Sequence, residues 1–255
     1  GSEMCIRDRL KDLPDKIEKN MAACMEQKQK ELYHAHAQRL ALMLQNQTEE
    51  EFADSRFQVL SELTRLRQLC CDPALVYENY EGGSAKLDLC IELIQSAVES
   101  GHKILLFSQF TSMIEILTAR LQEESISCFV LQGSTKKEQR AQMVEQFNRD
   151  DTSVFCISLK AGGTGLNLTG ADIVIHYDPW WNVAVENQAT DRAHRIGQKN
   201  VVTVYKLIAK GTIEEKIIKL QQMKKELAEE ILSGDEIKTA SFQREELLEL
   251  LEERF

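Results

Sequence analysis

Between Lys103 and Tyr205 short apolar runs alternate with longer segments whose apolar residues recur at helical spacing. Lys103 to Phe107, Ser127 to Val130, Val154 to Ile157, Ile173 to His176 and Val201 to Tyr205 are almost continuous in apolar and β-branched residues. That is the composition of strands buried on both faces. Helices are predicted between them, over Lys86 to Glu99, Ser112 to Glu123, Lys136 to Asn148 and Val183 to His194. Strands separated by helices of this length need crossover connections, which place parallel strands in one sheet with helices on both sides. The expected fold is therefore α/β, a parallel sheet sandwiched by helices.

The flanks read differently. From Met25 to Cys71 there is no Gly or Pro, and Leu32, Leu40, Leu44, Phe52, Leu60, Leu63 and Leu66 keep a loose helical register, which predicts a helical insertion or hairpin. Asp72-Pro73 should stop it, and Glu81-Gly82-Gly83-Ser84 reads as a linker. Beyond the sheet region, Ile213, Ile217, Leu220, Met223, Leu227 and Ile231 form the stripe of a long helix that must be buried somewhere. Arg244 to Glu253 reads as a charged helix.

Composition narrows the class. At 255 residues and 43% hydrophobic the chain can bury a substantial core, so disorder is excluded. No apolar run reaches the length of a membrane span and no secretory signal is legible, so no membrane partner and a cytosolic or nuclear location are expected. Gly1-Ser2 reads as the remnant of a tag. Seven cysteines form no C-x-x-C pair, which predicts reduced core thiols. The five histidines, with His34 and His36 two apart, offer no ligand set, and no metal site is expected. A net charge of −10 argues against binding nucleic acid through bulk positive charge but leaves room for a local basic track, because much of the acid lies in Glu49-Glu50-Glu51 and between Asp235 and Glu253.

In open α/β sheets ligands gather beyond the carboxyl ends of the strands. There the chain places Ser108-Gln109-Phe110, Gly133-Ser134-Thr135 with Arg140 one turn on, Leu159 to Gly165, and Pro179-Trp180-Trp181-Asn182. Hydroxyls, amides and exposed backbone N–H groups of this kind suit phosphate oxygens. Gly162-Gly163-Thr164-Gly165 fails the dinucleotide fingerprint, because Leu168 stands where the last glycine belongs. Nowhere does Gly precede Lys, so the phosphate-cradling G-x-x-x-x-G-K-[ST] loop is missing, and the chain reads as half of a two-part nucleotide site. Two adjacent tryptophans on a loop cannot both enter one core, so one should brace the next helix or meet a partner. The most informative string is Gln188-Ala-Thr-Asp-Arg-Ala-His-Arg-Ile-Gly-Gln198. On a helix Gln188, Arg192 and Arg195 would share a face, with Asp191 one turn before Arg195 and able to hold its side chain. Alone, such arginines are more often a solvated charged face. Beside these loops they suit neutralising the charge that develops on a transferred phosphoryl group.

These residues together resemble the C-terminal RecA-like lobe of the Swi/Snf-like family of ATP-dependent double-stranded-DNA translocases. The likeness runs from Leu13-Pro14-Asp15-Lys16 through Leu66 to Pro73, Phe107 to Phe110, Gly133-Ser134-Thr135, Ala161 to Leu168 and Gln188 to Gln198, and closes at Gly211-Thr212-Ile213-Glu214-Glu215. The string Asp-Arg-Ala-His-Arg-Ile-Gly-Gln separates it from DEAD-box RNA helicases. Lys160 and Thr164 make it similar to bacterial members, while Val183 stands where the family often has Pro. The resemblance implies a linker and tag remnant over 1–24, a helical insertion over 25–83, the RecA-like lobe over 84–210, and a helical brace with an acidic tail over 211–255. It implies that Arg192 and Arg195 are arginine fingers oriented by Gln188 and Asp191, and that Gly163 and Gly165 lie near the nucleotide. Ser108, Gly133, Ser134, Ser158 and Lys160 would contact the DNA backbone, with Trp181 and Asn182 coupling that track to the ATP helix. The implied cofactors are ATP and Mg2+, both held mainly by an N-terminal RecA-like lobe of the same chain. The implied partners are that lobe, double-stranded DNA, and a protein on DNA or RNA polymerase. The implied location is cytoplasmic, nucleoid-associated for a bacterial member. The lobe would act in a DNA-dependent ATPase and be inactive as an isolated fragment. The competing readings are a DNA- or protein-binding module without ATPase activity and a strand-separating helicase.

Overall fold

Residues 13–159, 161, 165–230 and 244–251 are described by the computed structural model. Among them the strands are β1 (Lys16–Ala23), β2 (Ile104–Ser108), β3 (Cys128–Leu131), β4 (Val154–Ser158), β5 (Ile173–His176) and β6 (Val202–Ala209). The helices are α1 (Gln27–Gln45), α2 (Glu49–Cys71), α3 (Ala85–Glu99), α4 (Thr111–Glu123), α5 (Lys137–Arg149), α6 (Val183–Thr190), α7 (Ile213–Glu230) and α8 (Arg244–Leu251). One sheet takes the order β1-β6-β5-β2-β4-β3. Within it β2 pairs in parallel with β4 and with β5, β3 with β4, and β5 with β6. Every residue of β2, β4 and β5 is buried, which is why their sequences show no polar alternation. From β2 the chain moves outward to β3, returns to β4, and then crosses to β5 and β6 on the other side. The carboxyl end of β2 is thus the switch point of the topology.

By its contacts the chain divides into two units, one of Leu87–Ile208 with the N-terminal segment through Ala22, the other of Ala23–Lys86 with the segment from Ala209 onward. The first unit carries the sheet and a core that includes Leu105, Phe107, Phe147, Phe155, Ile157, Val174 and Val204. It also carries β1, in a segment expected to be linker. The backbone bonds Val202 N to Asp15 O (3.0 Å) and Lys210 N to Ala23 O (2.8 Å) fix β1 beside β6. Its residues, KIEKNMAA, are mostly exposed and rich in charge, as suits a protected sheet edge, so no apolar run announced it.

The second unit joins the expected insertion and the expected brace into one body. The insertion is a helical hairpin, α1 and α2. Thr48 starts α2 with a capping box: its Oγ1 accepts from Glu51 N, and Glu51 Oε2 accepts from Thr48 N at 2.8 Å. The apolar stripe of α7 is buried at Ile213 and Ile217, and Ile213 N donates to the Tyr33 hydroxyl at 2.8 Å. The presumed linker is a packed turn. Ser84 donates to Cys71 O at 2.8 Å, and a Cβ on Gly83 would lie 2.3 Å from Glu26 Oε1, so a larger residue there would have to displace the Glu26 carboxylate, which accepts from Gly83 N at 3.3 Å. At the heart of this unit Lys86 Nζ donates to both Glu214 oxygens at 2.7 and 2.6 Å, with both side chains fully buried.

Among the described residues Cys70, Cys71, Cys90 and Cys156 are buried thiols outside any disulfide, while Cys128 is half-buried and Cys24 exposed. A hydrogen bond from Cys156 lowers Cys128 to about 7, against the opposing effect of burial.

Candidate functional site

The ends of β2 and β5 are tied at several points. Ser108 is fully buried and its Oγ donates to Asp178 Oδ1 at 2.5 Å, while Tyr177 N donates to Phe107 O at 2.9 Å. One step earlier in the register Phe107 faces His176, and their rings stack with centroids 5.5 Å apart. Ser158, at the end of β4, is also buried. Neither serine presents its hydroxyl for a backbone contact. Both are the last residues of fully buried strands, so their side chains stay covered at the base of the loops that follow.

Loop residues Gly133 and Ser134 after β3 are exposed. Arg140, one turn into α5, holds them. Its guanidinium donates to Thr135 O (2.8 Å), Gly133 O (3.1 Å), Gln132 O (3.3 Å) and, across to the next loop, Ala161 O (3.2 Å). Lys160 and Gly163 lie outside the described residues. Gly165 is exposed and takes φ +81°, a conformation that glycine adopts without strain.

The expected helix over Val183 to His194 ends at Thr190. Arg192 N bonds to Ala189 O at 3.3 Å and Ala193 N to Thr190 O at 3.0 Å, three-residue bonds that tighten the chain into turns. The shared face of Gln188, Arg192 and Arg195 is therefore lost. Arg192 turns inward to 5% exposure, whereas Gln188 and Arg195 stay exposed. Gln188 makes no hydrogen bond to either arginine. Asp191 does not pair with Arg195; its charge acts on Arg192. Burial lowers the Arg192 pKa, the Arg195 charge lowers it further, and Asp191 opposes both. Arg192 Nε is buried without a hydrogen-bond partner.

This turn is clamped to the distal half of the Gly-rich loop. Leu168 N donates to Arg192 O at 3.0 Å, and Arg195 Nη1 donates to Leu166 O at 3.3 Å. Gln198 is buried and its amide donates to Ala171 O (2.7 Å), Ala193 O (3.1 Å) and Thr169 O (3.3 Å), while its oxygen accepts from Lys199 N and Asn200 N. His194 Nε2 meets Pro14 O at 2.7 Å. The result is two arginines on a pinned turn beside a loop that carries exposed backbone.

Trp180 and Trp181 are both half-buried. Trp180 packs on the sheet core, and its backbone N–H donates to buried Glu186 Oε2 at 3.1 Å, so it braces α6. Glu186 also pairs with Lys206 at 2.9 Å. Asn182 is exposed but is also the N-cap of α6, its Oδ1 accepting from Ala184 N at 2.9 Å.

His176, 1% exposed, shares a hydrogen bond with Thr190 Oγ1 at 2.9 Å. Burial, with Lys206 adding to it and Glu186 opposing, lowers its pKa to about 4. The unfolded chain thus binds the extra proton below pH 6.5 and the folded chain only near pH 4. Stability should fall as pH drops through that window, by about 2 kcal/mol between pH 7 and pH 5. Urea melts at both pH values check this, and His176→Phe should remove most of the loss.

Asp178, Arg140, Glu186 and Gln198 hold this site together, yet only Arg140 and Gln198 lie in strings that the sequence marked for phosphate chemistry, Glu186 being legible only as part of a helix. The available signal was a polar residue ending or directly following an apolar strand. Among the described residues no group of three or more His, Cys, Asp or Glu could hold a metal ion. None of the described helices is long and apolar enough to cross a membrane.

Comparison with known proteins accords with this architecture. Residues 85–197 match the model of the helicase conserved C-terminal domain. A protein of Mycoplasma pneumoniae named an uncharacterized ATP-dependent helicase is 41% identical over 95% of this chain. The C-terminal domain of the Sulfolobus solfataricus SWI2/SNF2 ATPase superposes with a TM-score of 0.75 at 32% identity, covering 94% of this chain and 100% of that one. The core of that ATPase in complex with double-stranded DNA gives 0.73 at 34% identity, covering 88% of this chain and 47% of that one. The chain belongs to the SWI2/SNF2 ATPase family, as its RecA-like C-terminal domain. It spans 23% of the length of the Mycoplasma relatives it matches.

Proposed function

We propose that this chain is the C-terminal motor lobe of an ATP-dependent translocase on double-stranded DNA, completing an ATP site whose phosphate cradle and Mg2+ ligands belong to an N-terminal lobe. The observation that carries this reading is the arginine turn, pinned through Leu168 N to Arg192 O (3.0 Å) and by Gln198, with a buried Arg192 Nε that lacks a partner and an exposed Arg195. An anion brought against the turn would supply the partner that Nε lacks. Nucleotide, when bound, supplies the phosphoryl group on which charge develops; Arg192 and Arg195 neutralise that charge when the lobes close. Closure is favoured by these contacts and released once they are gone.

The exposed backbone of Gly133 and Ser134, held by Arg140, and the loop at Trp181 and Asn182 are the parts that face a DNA phosphate track. The dsDNA complex of the Sulfolobus ATPase supports a duplex as the substrate. The isolated chain is expected to hydrolyse no ATP. In the full-length protein, duplex DNA is expected to raise ATP turnover without separating strands. A full-length protein that binds duplex DNA but never hydrolyses ATP is instead a binding module, and one that unwinds the duplex is a helicase in the strict sense.

A further inference from the structure

Resting on that motor reading, we infer that His176 is a positioning residue that couples the tied ends of β2 and β5, beneath the proposed DNA-facing loop at Trp181 and Asn182, to the arginine turn, through its stack on Phe107 and its hydrogen bond to Thr190. His176 is the last residue of β5 and stands between two moving parts of the proposed cycle. On one side its ring lies 20° from parallel with that of Phe107, the residue before Ser108. The β2 loop is locked to the same strand end, since Asp178 accepts from Ser108 Oγ at 2.5 Å and from Gln109 N at 3.3 Å. On the other side Nε2 meets Thr190 Oγ1 at 2.9 Å.

Thr190 is the last residue of α6, where the helix opens into turns. Its carbonyl accepts from Ala193 N (3.0 Å) and His194 N (3.1 Å), so the orientation of Thr190 sets the path of the two peptide units that follow Arg192. Thr190 and His176 are both buried, at 3% and 1% exposure. A close-packed contact of this kind transmits displacement instead of absorbing it. A shift of the tied β2 and β5 ends when the Trp181–Asn182 loop grips duplex therefore reaches the arginine turn through one ring and one hydrogen bond. The ring's other nitrogen, Nδ1, is buried with no partner, so no second hydrogen bond anchors the imidazole against such a shift.

The test uses the full-length protein and measures ATP turnover with and without duplex DNA, and duplex affinity with and without a non-hydrolysable ATP analogue. Thr190→Val removes the hydrogen bond at nearly constant volume, Thr190→Ser keeps it, and His176→Phe keeps the stack while deleting the bond. Thr190→Val and His176→Phe are expected to lower the DNA-stimulated kcat about tenfold, leaving DNA-free turnover and the nucleotide KM unchanged, while Thr190→Ser behaves as the parent. The factor by which the nucleotide analogue changes duplex affinity should shrink in step. Full DNA stimulation in both Thr190→Val and His176→Phe overturns the coupling. So does an equal loss of DNA-free and stimulated turnover in Thr190→Val, which marks a role in folding alone. If His176→Phe fails to fold, the two Thr190 variants decide the matter. A parent protein whose turnover duplex DNA does not raise overturns the motor reading and this inference with it, an outcome visible before any variant is made.

Discussion

Arg192→Ala in the full-length protein is expected to lower kcat for ATP hydrolysis by about 10³-fold or more, with nucleotide affinity little changed. The size follows from where the interaction is made. A guanidinium that meets the phosphoryl oxygens only in the closed state contributes to the transition state and not to ground-state binding, so its loss appears in kcat and not in KM. Arg192 sits on a turn fixed by Gln198 and by the Leu168 backbone, which spares the reorganisation that a mobile side chain would need. Its Nε is already desolvated without a partner in this structure. Removing it should leave the thermal midpoint near that of the parent, because the packing lost with the side chain is offset by relief of a buried guanidinium with an unsatisfied Nε. Arg192→Lys should recover only a small part of the activity, since a point charge cannot reproduce the planar fork. Steady-state kinetics, a fluorescent nucleotide titration and a melting curve on the same preparations check all three statements. Parent-like turnover in Arg192→Ala removes Arg192 from the catalytic site.

How much of this was legible in the sequence depended on which force decided each element. The central strands were, because burial on both faces leaves continuous apolar runs such as Ile104 to Phe107 and Val154 to Ile157. β1 was not, because a solvated sheet edge needs charge and gains its place from backbone bonds to β6, which carry no side-chain signal. The arginine string was identifiable, but its geometry was not. Helical spacing put Arg192 and Arg195 on one face, whereas tertiary bonds from Leu168, Gln198 and His176 end the helix at Thr190 and turn Arg192 inward. Ser108 and Ser158 were legible as loop-side hydroxyls and not as buried ones, since only the register with β5 brings Asp178 to Ser108. The Gly82-Gly83 pair has the composition of a flexible linker, yet Tyr80 lies against Gly82 and Glu26 against Gly83, and the second of these contacts exists only once the second unit has folded.

Lys86→Met is expected to destabilise the second unit by about 3–5 kcal/mol, the range for stripping one partner from a buried ion pair. Lys86 and Glu214 are 1% and 0% exposed as side chains, and both oxygens of Glu214 receive the ammonium. Burial penalises the Lys86 charge. The Glu214 carboxylate, the neighbouring Cys71 and Cys70, and the hydrogen bond itself outweigh that penalty and raise the Lys86 pKa, so the pair stays charged at every pH near neutrality. Cys70 does not compete for the role of anion, because burial first and Glu214 second push its thiol up. With Lys86 gone, Glu214 is left as a carboxylate in the interior, still accepting from Ala209 N at 2.8 Å but without the ammonium that faced both its oxygens. The pair links residues 128 positions apart in sequence, so its loss should loosen the start of α7 from the start of α3. A fall of about 10 °C in the melting midpoint is the corresponding thermal signature for a domain of this size. The double variant Lys86→Met/Glu214→Leu should recover most of the loss, keeping a deficit of about 1 kcal/mol for the unsatisfied Ala209 N–H. Urea denaturation of the four proteins yields the coupling energy directly. A Lys86→Met loss below about 1 kcal/mol, or a double variant no better than the single one, is incompatible with a charged pair at this position.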